Sequence, residues 1–311
     1  MFLTLESLTL GELRLAASSA GANSLLAEAS RLEKQYEWEE AAEVYERILQ
    51  GMSTDETERP AISLRLAICH ESAASQTGNA SAFREKMEEA IAVYHEMERT
   101  AGRDSLWAHR AAAGRLRLEG TLTEDAEARH RLFDKAIDLQ RSVVMELERR
   151  GPSPAWLEAG NFNLLLLYER FLLDQQFTEV LKEGLALAEK LKSHARNADV
   201  DARALAHVLR AYLAWHAKDH FEDWHRDPSR FDRVLQEALA LEQEIRDGRI
   251  LAALLEGALY AKSIDKGLEV TLEDVDKLMA VASVTRDREF IGRALSLALY
   301  FARWRLVGER D

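Results

Sequence analysis

One spacing recurs along the chain and limits what it can fold into: a bulky residue, a small one three positions later, and an apolar one seven after that. Five segments carry it: Trp38, Ala41, Ile48; Met87, Ala90, Met97; Phe133, Ala136, Val143; Phe177, Val180, Leu187; and Phe231, Val234, Leu241. A sixth, weaker copy is Leu272, Val275, Ala282. Offsets of three and seven place all three side chains on one face of an α-helix, and such a stripe is stable only against another element. Self-similarity of this kind indicates stacked units, each unable to bury its own apolar face alone.

Two pairs of segments match beyond the spacing. Residues 39–45 (EEAAEVY) and 88–94 (EEAIAVY) agree at five of seven positions, and 177–187 (FTEVLKEGLAL) and 231–241 (FDRVLQEALAL) at seven of eleven. The small residues succeed one another at intervals of 49, 46, 44, 54 and 41 residues. Between these helices the same periodicity predicts others at 24–35, 59–73, 104–119, 154–173, 201–218 and 248–263, so each unit is a helical hairpin. Ser153-Pro154 reads as an N-cap and first-turn proline. A last helix at 287–306, with Phe290, Leu295, Leu299 and Trp304, is placed to cap the array. Ahead of Asn23 the pattern is ambiguous. Leu3, Leu5, Leu8 and Leu10 alternate as in a strand but slip phase at Ser7, while Thr9 and Glu12 form a capping-box pair.

Trp38-Glu-Glu-Ala41 through Tyr45 and Ile48 resembles the second helix of a tetratricopeptide repeat, and so does Met87-Glu-Glu-Ala90-Ile91 through Tyr94 and Met97. The resemblance spans about 25–245. It is weaker in the first helices, which lack a Trp…Leu-Gly…Tyr run, and the period exceeds the roughly 34 residues of the standard repeat. It implies an all-α, right-handed α-solenoid of about five to six hairpins over 24–285, with an N-terminal segment at 1–23 and a capping helix and tail at 286–311. It also implies that the first helices line a concave groove.

Composition narrows the class further. Hydrophobic residues make up 47% and charged residues 31%, with only 4 Pro, as suits a folded chain rich in helix formers. The single cysteine, Cys69, excludes an internal disulfide framework and fits a reducing compartment. The first basic residue is Arg14, and Glu6 and Glu12 interrupt the N-terminal apolar residues, so no signal peptide is expected. The most apolar stretch, Leu251 to Ala261, is short for a membrane span and contains Glu256. A net charge of −13 opposes binding to nucleic acid or anionic membranes. A cytoplasmic protein is the expectation.

No phosphate loop, nucleophile elbow or paired cysteines appear, so neither a catalytic residue nor a cofactor is assigned. His216, His220 and Asp223 would share one face if the helix from 201 continues, a spacing that can chelate a metal, but packing at a helix end explains them better. Cys69 and His70 point about 100° apart on a helix, which favours an inert thiol. Two charged stripes remain. Arg103, Arg110 and Arg117 stand seven apart with Trp107 beside them, and Arg203, His207 and Arg210 lie opposite Leu205, Val208, Leu209 and Tyr212. On the groove geometry these seven residues are the partner-binding candidates. The expected function is a non-enzymatic interaction module that holds a protein or peptide, acidic segments included, in a partly basic groove. The alternatives are a helical metalloenzyme using 216–225 and a peptide-sensing regulator.

Overall fold

The computed structural model describes residues 20–52, 57–102, 105–194, 199–227, 229–265 and 271–308. Among them every regular element is an α-helix. The first seven are α1 (Ala20–Lys34), α2 (Trp38–Gly51), α3 (Arg59–Gln76), α4 (Ala80–Thr100), α5 (Leu106–Leu122), α6 (Ala126–Arg149) and α7 (Pro154–Leu173). The rest are α8 (Thr178–His194), α9 (Val200–His220), α10 (Glu222–Arg226), α11 (Ser229–Leu239), α12 (Gly248–Asp265), α13 (Leu272–Thr285) and α14 (Arg288–Gly308). Each long helix packs against its neighbours in sequence, giving adjacent helical pairs. The ambiguous opening, with Thr9 and Glu12, lies outside the described residues.

Polar caps set several helix starts. The side chains of Asn79, Ser105, Asp125 and Ser153 accept hydrogen bonds from backbone N–H groups in the first turns of α4, α5, α6 and α7. Thr271 and Asp274 form a reciprocal capping box on α13.

The repeated stripes are mostly buried where side chains are described; Phe177, Leu187 and Leu241 depart from this. Trp38, Ala41, Ile48, Met87, Ala90, Met97, Phe133, Ala136 and Val143 are all within the core. Burying each of the larger ones contributes about 1.5–3 kcal/mol. In the fourth copy Phe177 precedes α8 and remains partly exposed beneath the Arg170 guanidinium, 4.6 Å from its ring centroid. Its counterpart Phe231 sits inside α11 and is buried.

Two kinds of helix alternate. The outer ones bury a single stripe; in α4 it is Met87, Ala90, Tyr94 and Met97. The inner ones are enclosed on nearly every side, with 64–74 of α3 and 159–171 of α7 buried without interruption. Close approach demands small residues here: a Cβ on Gly114 of α5 would lie 2.6 Å from the Tyr94 ring.

The array also returns to its own beginning. The backbone N–H of Gly248 donates to the Tyr36 hydroxyl at 2.6 Å, and Gln76 Nε2 donates to the carbonyls of both Tyr36 and Thr285, at 3.0 and 2.9 Å. Arg249 donates to Ser72 Oγ at 3.0 Å while its guanidinium stands 4.5 Å from the Trp38 ring centroid. Arg286 pairs with Glu37, and Arg288 Nε donates to the Gln76 carbonyl. Tyr36 and Arg286, with φ of 59° and 56°, hold left-handed backbone conformations at this seam.

Candidate aromatic pocket

Among the described residues of the charged stripes, Arg110, Arg117 and Arg210 are buried and Arg203 and His207 half-buried. Arg117 is 1% exposed; its Nη1 donates to Glu71 at 2.7 Å and its Nε to Glu169 at 2.8 Å, tying α3, α5 and α7 together. Tyr94 adds a hydroxyl donor to Glu71 at 2.8 Å. Arg110 is buried, with its guanidinium 3.6 Å from the Phe162 ring centroid. Arg210 is buried between Glu189 and Glu237, and Arg203 pairs with Glu244 at 2.9 Å. Burial beside Arg210 lowers the pKa of His207 to about 4, so the ring is neutral at pH 7. Trp107 is partly exposed, and Arg103 lies outside the described residues. An exposed basic groove was expected from these side chains. The inner helices are instead enclosed on both faces, so Arg110, Arg117 and Arg210 engage the chain's own rings and carboxylates.

The histidines do not converge either. α9 ends at His220, the chain turns at Phe221, and Asp223 falls in α10, where it pairs with Arg230 at 2.7 Å. His216 and His220 both pack on Phe171, at 5.0 and 5.3 Å between ring centroids. Burial brings the pKa of His216 down to about 4. Among the described residues no three His, Cys, Asp or Glu side chains are grouped to hold a metal ion. Cys69 is fully buried and 3.7 Å from Glu33, which together with burial holds its thiol pKa well above the ordinary value. His70 turns instead to Glu89, at 3.0 Å.

A cavity of about 430 Å³ opens among α7, α9, α11, α12 and α14. Its wall from α9 is the face Val208, Ala211, Tyr212, Trp215 and His216, a three-to-four-residue periodicity that continues the helical repeat. α12 contributes Glu256, Gly257 and Tyr260; α7 contributes Tyr168, and α11 contributes Phe231 and Leu235. Glu289 and Arg293, one turn apart on α14, complete it. A Cβ at Gly257 would stand 3.8 Å from the Tyr212 ring, an ordinary van der Waals contact.

The pocket has one polar end. Arg293 Nη1 donates to Glu256 Oε2 at 2.9 Å and its Nη2 pairs with Glu289. The Tyr212 hydroxyl lies 2.9 Å from the Ala253 carbonyl and 3.3 Å from Glu256, both acceptors for its proton. Burial raises the pKa of Glu256 against the opposing pull of Arg293, and burial with the Glu256 charge raises those of Tyr212 and Tyr260. The tyrosines therefore stay neutral at pH 7. A concave, aromatic-lined space of this size with a few converging polar groups has the make-up of a ligand site. Its sequence signal was Glu256, the one charged residue within the apolar stretch 251–261, and the close spacing of Tyr212, Trp215 and His216.

No protein-family model matches the chain, and no curated protein is significantly similar to it. Among the described residues, no helix is long and apolar enough to cross a membrane.

Proposed function

We propose that this protein is a non-enzymatic binding module, a right-handed tetratricopeptide-like solenoid of about five to six hairpins that holds a peptide or protein partner. The second-helix stripes at Trp38–Ile48 and Met87–Met97 support the repeat class, and alternating inner and outer helices suit it. The observation that carries the binding reading is the aromatic pocket beside α9 and α12, an anchor site for a side chain projecting from a partner. Recognition then rests on this pocket and not on the arginine stripes, in which Arg117 is already matched by Glu71 and Glu169 and Arg210 by Glu189 and Glu237.

The test is affinity capture from the native cell with three baits: the natural chain, Ala211→Trp, which fills the pocket, and Trp107→Ala, which removes the exposed ring on the stripe. A partner identified by mass spectrometry should be lost with Ala211→Trp and kept with Trp107→Ala. The opposite pattern would return recognition to the stripe.

A further inference from the structure

Resting on the reading of the pocket as the binding site, we propose that its ligand is an organic cation: an ammonium or guanidinium carried on an apolar stem. The charged lining residues are Glu256, Glu289 and Arg293, two acids and one base, which leaves the polar end with one net negative charge when both acids are ionised. His216, the remaining ionisable group of the α9 wall, is neutral at pH 7 and adds no positive charge. The other walls are neutral, made of aliphatic side chains and of aromatic rings whose faces attract a cation and repel an anion. Tyr260 lies one turn beyond Glu256 on α12, and the Tyr212 hydroxyl reaches Glu256 from α9, so rings and carboxylate share one end of the cavity.

The molecule already uses this chemistry next door. The Lys218 ammonium, outside the lining, stands 3.8 Å from the Trp215 ring centroid and 4.8 Å from that of Phe231. Those two rings are thus served by the chain's own cation, while the rings of Tyr212 and Tyr260 line the cavity together with the Glu256 carboxylate. An anionic ligand would meet Glu256 and Glu289 with Arg293 already committed to both. The net charge of −13 also raises the local concentration of cations.

Calorimetric titration of the full chain with benzyltrimethylammonium, benzyl alcohol, phenylacetate and acetyl-Gly-Arg-Gly-amide tests the inference. At least one cationic probe should bind about tenfold more tightly than benzyl alcohol, with phenylacetate the weakest. Binding by the ammonium alone assigns a free small molecule, and binding by the arginine peptide alone assigns a peptide side chain. Glu256→Gln should erase the cation preference. Because that change disturbs a buried pair, Glu289→Gln, at a more exposed carboxylate, should also reduce it in a chain that melts at the natural temperature. Equal or tighter binding of benzyl alcohol, or no binding of any probe, overturns the inference. Loss of partner capture by Ala211→Trp together with a neutral preference would sink the cation while leaving the binding role intact.

Discussion

The backbone N–H of Gly248 donates a 2.6 Å hydrogen bond to the Tyr36 hydroxyl, joining the start of α12 to the turn between α1 and α2 across 212 residues of chain. A Cβ on Gly248 would lie 2.9 Å from that oxygen, so the contact also requires glycine. Burial is the main cause that lifts the Tyr36 pKa to about 12, and it keeps the phenol protonated and neutral. Tyr36→Phe leaves the Gly248 N–H without this acceptor and should cost about 1–3 kcal/mol in urea unfolding. An unchanged midpoint would mean that the seam is open in solution.

The repeat register predicts an asymmetry within α4. Ala90 is fully buried and Ala92 exposed. Ala90→Leu should destabilise by about 1–3 kcal/mol through overpacking, whereas Ala92→Leu should stay within about 0.5 kcal/mol. Equal losses would refute the register.

Arg117 offers a sharper test of the buried charges. Arg117→Met leaves Glu71 and Glu169 without their cation and should cost about 3–5 kcal/mol. Had this side chain lined a solvated groove, the loss would be near zero.

Acid should weaken the fold through two histidines. His207 and His216 each have a pKa lowered to about 4 by burial, so between about pH 4 and the ordinary 6.5 the unfolded chain binds more protons than the folded one. Stability is therefore present above pH 6.5 and declines as pH falls through that window, at up to about 1.4 kcal/mol per pH unit per histidine. Replacing His216 with Leu should flatten the thermal midpoint against pH in this range. An equally steep profile would assign the acid sensitivity elsewhere.

Gly257→Ala should act in the opposite direction. The new methyl meets the Tyr212 ring at ordinary contact distance, and the helix gains about 0.5–1 kcal/mol from losing a glycine. Thermal unfolding would show a modest rise; a fall would indicate strain at the pocket wall.

The helices were legible because their signals are local. The spacing at Trp38, Met87, Phe133 and Phe231 and the cap at Ser153 are each decided within a few residues, and the expected helices at 59–73, 154–173, 201–218 and 248–263 match α3, α7, α9 and α12 closely. The fate of Arg110, Arg117 and Arg210 was not legible, because an arginine reads the same whether it faces water or a carboxylate two helices away. Which acids reach Arg117 depends on packing between α3, α5 and α7, separations of 46 and 52 residues. The pocket was hidden for the same reason: its walls come from five helices, and only Glu256 looked out of place within its own.

Closure of the array decides which of these surfaces a partner can reach, and one cross-linking measurement addresses it. Glu37 and Arg286 pair across the seam at 2.8 Å and both retain access to solvent, while Cys69 is buried and should not compete for reagent. In a chain carrying Glu37→Cys and Arg286→Cys, a short bismaleimide should join the two introduced thiols within one molecule, giving a linked peptide pair by mass spectrometry from the monomer fraction. Two singly modified sites with no intramolecular link would contradict closure.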